Sequence, residues 1–138
     1  MRQHVLDTNA LHRFIFHGEG EEIVTRVLKD SRDSRLPVLM SAINWGELYY
    51  TLVKRIGMVG ADGIVANLAG QLGIEIVDAN RERAIRAAAL KAKYCLPYGD
   101  AFAAELAGTQ HVLVTADLKD FKRVPKLRLL KLPPRRPN

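Results

Sequence analysis

Residues 4–9 read His4-Val5-Leu6-Asp7-Thr8-Asn9. The apolar run is short and is stopped at once by Asp-Thr-Asn, a turn signal. It reads as a buried strand with a carboxylate just past its end. A second stretch of the same design stands late in the chain, Val112-Leu113-Val114-Thr115-Ala116-Asp117. Two further strands are expected between them, at Leu36–Met40, with Pro37 near its start, and at 73–77. Leu127–Leu130 reads as a last edge strand.

Helical patterns separate these strands. Glu19 to Lys29 carries Ile23, Val24, Val27 and Leu28 at helical spacing, and the charged stretch Lys29 to Arg35 reads as a loop. Ser41 offers an N-cap for a helix through Ile56, with Trp45, Leu48, Tyr49, Leu52 and Ile56 as its apolar stripe. Gly57 and Gly60 break that helix, and Ala61 to Leu72 forms another. Asn80 caps a helix from Arg81 to Lys93, whose buried face is expected at Ala84, Ile85, Ala88, Ala89 and Ala92. Tyr94 to Gly99 is a connector, and Asp100 to Ala107 a short helix. Strands alternating with helices predict an α/β fold, a three-layer α/β/α sandwich around a central, mostly parallel sheet. One domain is expected over residues 1–132, followed by a basic, proline-rich tail at 133–138.

The composition narrows the function classes. With 138 residues, 48% of them hydrophobic, the chain builds one core. No apolar stretch is long enough to span a bilayer, and Asp7 and Asn9 interrupt the first apolar run before it resembles a signal peptide. Cys95 is the single cysteine, which excludes an internal disulfide and a cysteine zinc site. A cytoplasmic location is the resulting expectation. The formal charge is +6, a balance that attracts polyanions.

Against that positive background, four acids sit at the edges of elements. Asp7 and Asp117 both follow strands, so a parallel sheet projects them from the same edge, where ligands of such sheets bind. Asp100 lies in a helical first turn, a position favoured by the helix dipole, on a face lined by the small residues Ala103, Ala104 and Ala107. Glu47 lies opposite the Trp45 stripe, on a face it shares with Ile43, Tyr50 and Lys54. Burial between Ile43 and Tyr50 would make this carboxylate need a cation or strong partner, and Lys54 is a possible mate. Singly, each acid has an ordinary use as cap, turn former or surface charge. Together, converging carboxylates repel one another unless a cation neutralises them, and hard divalent cations take such oxygen ligands. The pattern points to metal-dependent phosphoryl-transfer chemistry.

Asn9 and Thr115 supply neutral oxygens that orient ligands; Thr8 and Ser41 have capping as their plainer role. Asp120 is a further candidate acid, with capping or pairing with Lys119, Lys122 or Arg123 as its plainer role. His4, His12, His17 and His111 share no metal-ligand spacing and read as structural or surface residues. A receiver-like phosphoacceptor module needs an acidic pair at its first strand, where this chain has Asp7 followed by Thr8. A non-catalytic binding domain has no need of all four acids.

The same residues resemble the PIN-domain nucleases, and among them the bacterial VapC-type toxins of toxin–antitoxin pairs. The matching pieces are Val5-Leu6-Asp7-Thr8-Asn9, Ser41 with Glu47, Tyr98-Gly99-Asp100-Ala101, and Leu113 through Phe121 with its T-A-D-x-x-D-F ending. The resemblance implies a Mg2+- or Mn2+-dependent endoribonuclease that cuts single-stranded or loop RNA by metal-activated water, leaving 5′-phosphate and 3′-hydroxyl ends. It implies Asp7, Glu47, Asp100 and Asp117 as catalytic, metal-binding acids, with Asn9 and Thr115 in support. It also implies a homodimer and a small VapB-type antitoxin that wraps the enzyme and reaches into the acidic pocket. An RNA-maturation role is the alternative within the same family. Candidates for contacts to the RNA backbone include Arg13, Arg81, Arg86 and Lys91, and the sequence does not choose among them.

Overall fold

In the computed structural model, which describes residues 2–134, the elements run β1 His4–Leu6, α1 Thr8–Ile15, α2 Glu21–Ser34, β2 Val38–Ser41, α3 Ala42–Gln71, β3 Ile74–Val77, α4 Arg81–Tyr94, α5 Tyr98–Ala107, β4 Val112–Thr115, α6 Leu118–Phe121 and β5 Arg128–Lys131. The five strands lie in the order β3-β2-β1-β4-β5, and each neighbouring pair is parallel. Val5 sits between Leu39 on one side and Leu113 on the other. The chain first grows the sheet outward from β1 to β3, then returns past β1 to lay down β4 and β5. The order therefore reverses between β1 and β4, the kind of switch point beyond which ligands bind in open parallel sheets.

Successive strand residues point to opposite faces, and both faces are covered. Leu6, Met40 and Val114 pack with Leu11, Val24, Leu48 and Leu52 beneath α1, α2 and α3. Val5, Leu39 and Leu113 pack with Ala101, Phe102, Ala104 and Phe121 on the other side. Leu6, Leu11, Leu48 and Leu52 are wholly buried, and each such leucine contributes about 2 kcal/mol by leaving water. Among the described residues no helix is long and apolar enough to cross a membrane. Leu132 is buried in the first of these cores and the Pro133 carbonyl accepts a hydrogen bond from Arg13; residues 135–138 of the expected tail lie outside the described residues.

Several local expectations are corrected. The charged segment 29–35 is not a loop: α2 continues to Ser34 and ends on Arg35 in a left-handed conformation, its N–H bonded to the Ser31 carbonyl. Charged side chains on a solvated face do not stop a helix. Residues 8–15, assigned no helix from the sequence, form α1, capped by Asp7 and amphipathic through Ala10, Leu11, Phe14 and Ile15. Of the two glycines expected to break α3, only Gly57 leaves helical geometry (φ 84°, ψ 169°). On α4 the buried side is Arg83, Ala84, Ala87, Leu90 and Tyr94, while Ile85, Ala88, Ala89 and Ala92 are not buried and Ile85 is 69% exposed. Glu105 on α5 explains the rotation. Its side chain is 7% exposed and is held by Arg83 at 3.0 Å and Arg86 at 3.0 Å, and a nearly buried carboxylate without cations is costly.

Candidate active site

The turn after β1 places Asp7 at the sheet edge, 5% exposed. Its Oδ1 accepts from the Ala10 N–H at 2.8 Å, capping α1, and its Oδ2 accepts from the Thr115 hydroxyl at 2.5 Å. Thr115, the last residue of β4, is fully buried and also accepts the Asp117 N–H at 3.0 Å. One hydroxyl thus ties together the two loops that leave adjacent strands. Asp117 in turn caps α6 through Oδ1 and the Asp120 N–H, at 3.2 Å. The capping roles open to Asp7 and Asp117 from the sequence are real, and the same residues also face the cleft.

Glu47 is held differently from the expectation. Ile43 and Tyr50 are 36% and 56% exposed, so no second apolar face encloses it, and Lys54 lies over the Tyr50 ring. Polar groups grip it instead. Glu47 Oε1 lies 2.9 Å from the Thr8 hydroxyl and accepts from Asn44 Nδ2 at 2.9 Å. Asn44, 1% exposed, also donates to the Gly99 carbonyl at 3.0 Å, joining α3 to the first turn of α5. Gly99 packs directly on the carboxylate: a Cβ there would lie 2.6 Å from the Glu47 carboxyl carbon and closer to both oxygens. Asn44 and Gly99 were given no role from the sequence. Asn44 stands one helical turn before Glu47, the spacing at which side chains meet, and that signal was available.

Asp7, Thr8, Asn9, His12, Glu47, Thr51, Asp100 and Asp117 line one cleft of about 290 Å³. All four predicted acids meet there, with Asn9 in the wall and Thr115 beneath. His12, read from the sequence as structural or surface, is part of that wall. Asp100, Asp117 and Asp120 each place a carboxylate oxygen within 4.8 Å of the others, the one such metal-compatible group among the described residues. Asp120 pairs with Arg123 as expected, yet it also belongs to this trio. Ser41 stays a cap, its hydroxyl accepting the Ile43 N–H at 3.2 Å. Of the expected RNA contacts, Arg13 is buried and spends its guanidinium on the Glu19 and Pro133 carbonyls. Arg86 binds Glu105 and Lys91 binds the Leu96 carbonyl at 3.0 Å.

The electrostatics are those of crowded acids, with the charge of Arg13 the least of the influences on Asp7. Burial lifts the Asp7 carboxyl to about 6, against the opposing hydrogen bonds from Thr115 and Ala10. Asp100 is lifted to about 8, first by burial and then by its hydrogen bond with Asp117 and the charges of Asp117, Asp7 and Asp120. None of Asp7, Glu47, Asp100 or Asp117 takes part in a salt bridge among the described residues. The Asn9 side-chain oxygen is buried with no hydrogen-bond partner. An all-oxygen donor set, mutual repulsion and an unpartnered oxygen in the cleft wall fit a hard divalent cation.

A family model described as PIN domain matches residues 4–127. No curated protein sequence matches the chain. Among solved structures, the chain is similar to VapBC2 from Rickettsia felis, bound to a DNA fragment from their promoter, with 21% identity over 94% of this chain and 98% of that one and a TM-score of 0.74. DNA-bound VapBC from Salmonella typhimurium gives 22% identity over 95% and 98%, TM-score 0.72. Mycobacterium tuberculosis VapC20, a toxin that cleaves the sarcin-ricin loop, gives 14% identity over 91% and 99%, TM-score 0.67. At these identities the likeness is one of fold.

Proposed function

Since the chain belongs to the PIN-domain family, a family of nucleases, we propose that it is an endoribonuclease dependent on Mg2+ or Mn2+, acting in the cytoplasm as the toxin of a toxin–antitoxin pair. The observation that carries this reading is the convergence of Asp7, Glu47, Asp100 and Asp117 on one cleft with no basic side chain paired to them.

Asp100, Asp117 and Asp120 would hold the cation, with Asp7 and Glu47 facing the same space. When bound, a divalent ion makes a water nucleophilic near neutral pH and offsets the charge that develops on the phosphate oxygens. The protein's own contribution is positioning. Thr115 and the Ala10 N–H occupy both Asp7 oxygens and fix that carboxylate. Thr8 and Asn44 hold Oε1 of Glu47, and Gly99 leaves the room in which it sits. Such fixed groups align water and phosphorus for an in-line displacement without reorganising during the reaction. The surplus of positive charge elsewhere holds the RNA backbone.

The proposed protein partners are a second copy of the chain and a VapB-type antitoxin. An apolar cleft on α3, lined by Trp45, Tyr49, Tyr50, Val53, Met58 and Val65, supports a protein partner, as do solved relatives that are toxin–antitoxin complexes. The test uses purified protein and total cellular RNA. Cleavage is expected with Mg2+ or Mn2+, is abolished by EDTA, and falls by at least about 100-fold in Asp100→Asn; cutting that persists in EDTA would sink the mechanism. Growth arrest on expression, relieved by a small protein encoded beside this gene, would separate the toxin role from RNA maturation.

A further inference from the structure

Two helices leave the acidic centre side by side. Thr8, His12 and Phe16 follow one another at four-residue steps along α1 and its C-cap, and Glu47, Thr51 and Arg55 do the same along α3. The steps match across the gap. The Thr8 hydroxyl lies 2.9 Å from Glu47 Oε1, His12 and Thr51 both line the cleft, and the Arg55 guanidinium sits 3.8 Å from the centre of the Phe16 ring. The helices are therefore parallel and in register, and eight residues carry this stripe about 12 Å from the carboxylates. His12 also lies against Phe16, with ring centres 4.7 Å apart and the planes tilted by 46°, so ring contacts link the cleft wall to Arg55.

The chemistry changes along the stripe, from carboxylate, through hydroxyl and imidazole, to an aromatic ring under a cation. Arg55 is exposed and makes no salt bridge or hydrogen bond among the described residues. Contact with the Phe16 ring anchors the guanidinium of this exposed side chain while leaving its N–H groups unpaired among the described residues. A planar cation beside an aromatic ring is what a single nucleic-acid strand uses, the charge for a phosphate and the flat face for a base.

We infer that the trough between α1 and α3 is the path of the substrate strand, with Arg55, oriented by Phe16, binding the phosphate and base of a nucleotide flanking the scissile bond. This rests on the nuclease reading and adds to it a direction for the strand and a side chain that holds it. Arg55 replaces Arg13, whose guanidinium is consumed inside the fold.

The experiment measures binding of a fluorescein-labelled single-stranded oligouridylate by anisotropy across a salt series, and cleavage kinetics on RNA. Arg55→Ala is expected to weaken binding about tenfold and to lower the salt slope by about 0.7, one phosphate contact. KM should rise by a similar factor with kcat little changed. Arg55→Lys should restore the salt slope but not the affinity, since ammonium carries the charge without the flat face. Phe16→Leu should reproduce part of the Arg55→Ala loss with a melting temperature near that of the wild type. If the wild type binds and cleaves RNA and Arg55→Ala does the same with unchanged slope and KM, this inference fails while the nuclease reading stands. If Arg55→Ala keeps the oligonucleotide and instead loses an acidic peptide probe, the trough takes a protein segment and the inference is overturned. A wild type that neither binds nor cuts RNA overturns both readings.

Discussion

Gly99 shows how one missing methyl group shapes the cleft. The Glu47 carboxylate occupies the space where a Cβ would stand, and Asn44 clamps the two helices so that it stays there. Gly99 lies within α5 and is not among the glycines with positive φ, so alanine is tolerated by the backbone and the nearest clash falls on the Glu47 carboxylate. Gly99→Ala should therefore melt near the wild-type temperature while losing on the order of tenfold or more in kcat/KM, since small displacements of positioned groups are costly. Circular dichroism melts and cleavage assays on the same preparation check this. A variant that cuts normally would contradict the close packing; one that unfolds would show that Glu47 cannot yield to the added methyl.

Among the elements, α4 separates what pattern reading gives from what packing selects. Alanine at Ala84, Ala87, Ala88, Ala89 and Ala92 leaves several faces almost equally apolar, so hydrophobic spacing alone does not choose between them. Glu105 chooses, because its carboxylate faces α4 and draws Arg83 and Arg86 toward it. Arg83→Ala should cost about 1–3 kcal/mol, since it strips a charge-assisted partner from a nearly buried acid. Ile85→Ala, on the exposed side, should stay within about 0.5 kcal/mol. Urea unfolding of the two variants decides it; a large loss for Ile85→Ala would restore the face expected from the sequence. The kink at Gly57 belongs to the same scale: the left-handed φ there suits a residue without Cβ, and it turns α3 before its second half.

At the scale of the whole molecule, the cleft trades stability for charge. In the folded state burial pushes the Asp7 carboxyl up to about 6, and burial with the neighbouring acids pushes Asp100 up to about 8, against the ordinary 3.8. Both folded values are raised, so below about pH 4 the acids are protonated in either state and oppose nothing. As pH climbs from about 4 to about 8 the unfolded chain releases these protons more readily, and the metal-free fold loses stability across that window. Asp100→Asn should therefore stabilise the protein in EDTA, with an advantage that grows from about pH 5 to about pH 8. Mg2+ should raise the wild-type melting temperature most at the upper end of the range and do little for the variant. Thermal melts at a series of pH values measure both; an advantage of Asp100→Asn that shrinks with rising pH would show the carboxylate is not repelled.

Some of this was legible in the linear chain because it is local. A short apolar run followed by Asp is a strand end whatever lies far away, and the alternation of such runs with helical patterns fixed the class as α/β. Asp7, Glu47, Asp100 and Asp117 stood out by their order along the chain and by the strand ends that set Asp7 and Asp117 on one sheet edge, although Glu21, Asp78 and Glu82 also stand at element edges. The sequence also named Asn9 and Thr115 from their nearness to two of those acids. What depends on distant partners was decided only in three dimensions. The strand order β3-β2-β1-β4-β5 sets Asp7 beside Asp117 at the switch point. Asp120 enters the carboxylate trio only because α6 turns it toward Asp100. Asn44, Gly99 and the matched steps of α1 and α3 have meaning only once the helices touch. Periodicity specifies which face of an element is apolar; it says nothing of what that face meets, and the cleft is made of meetings.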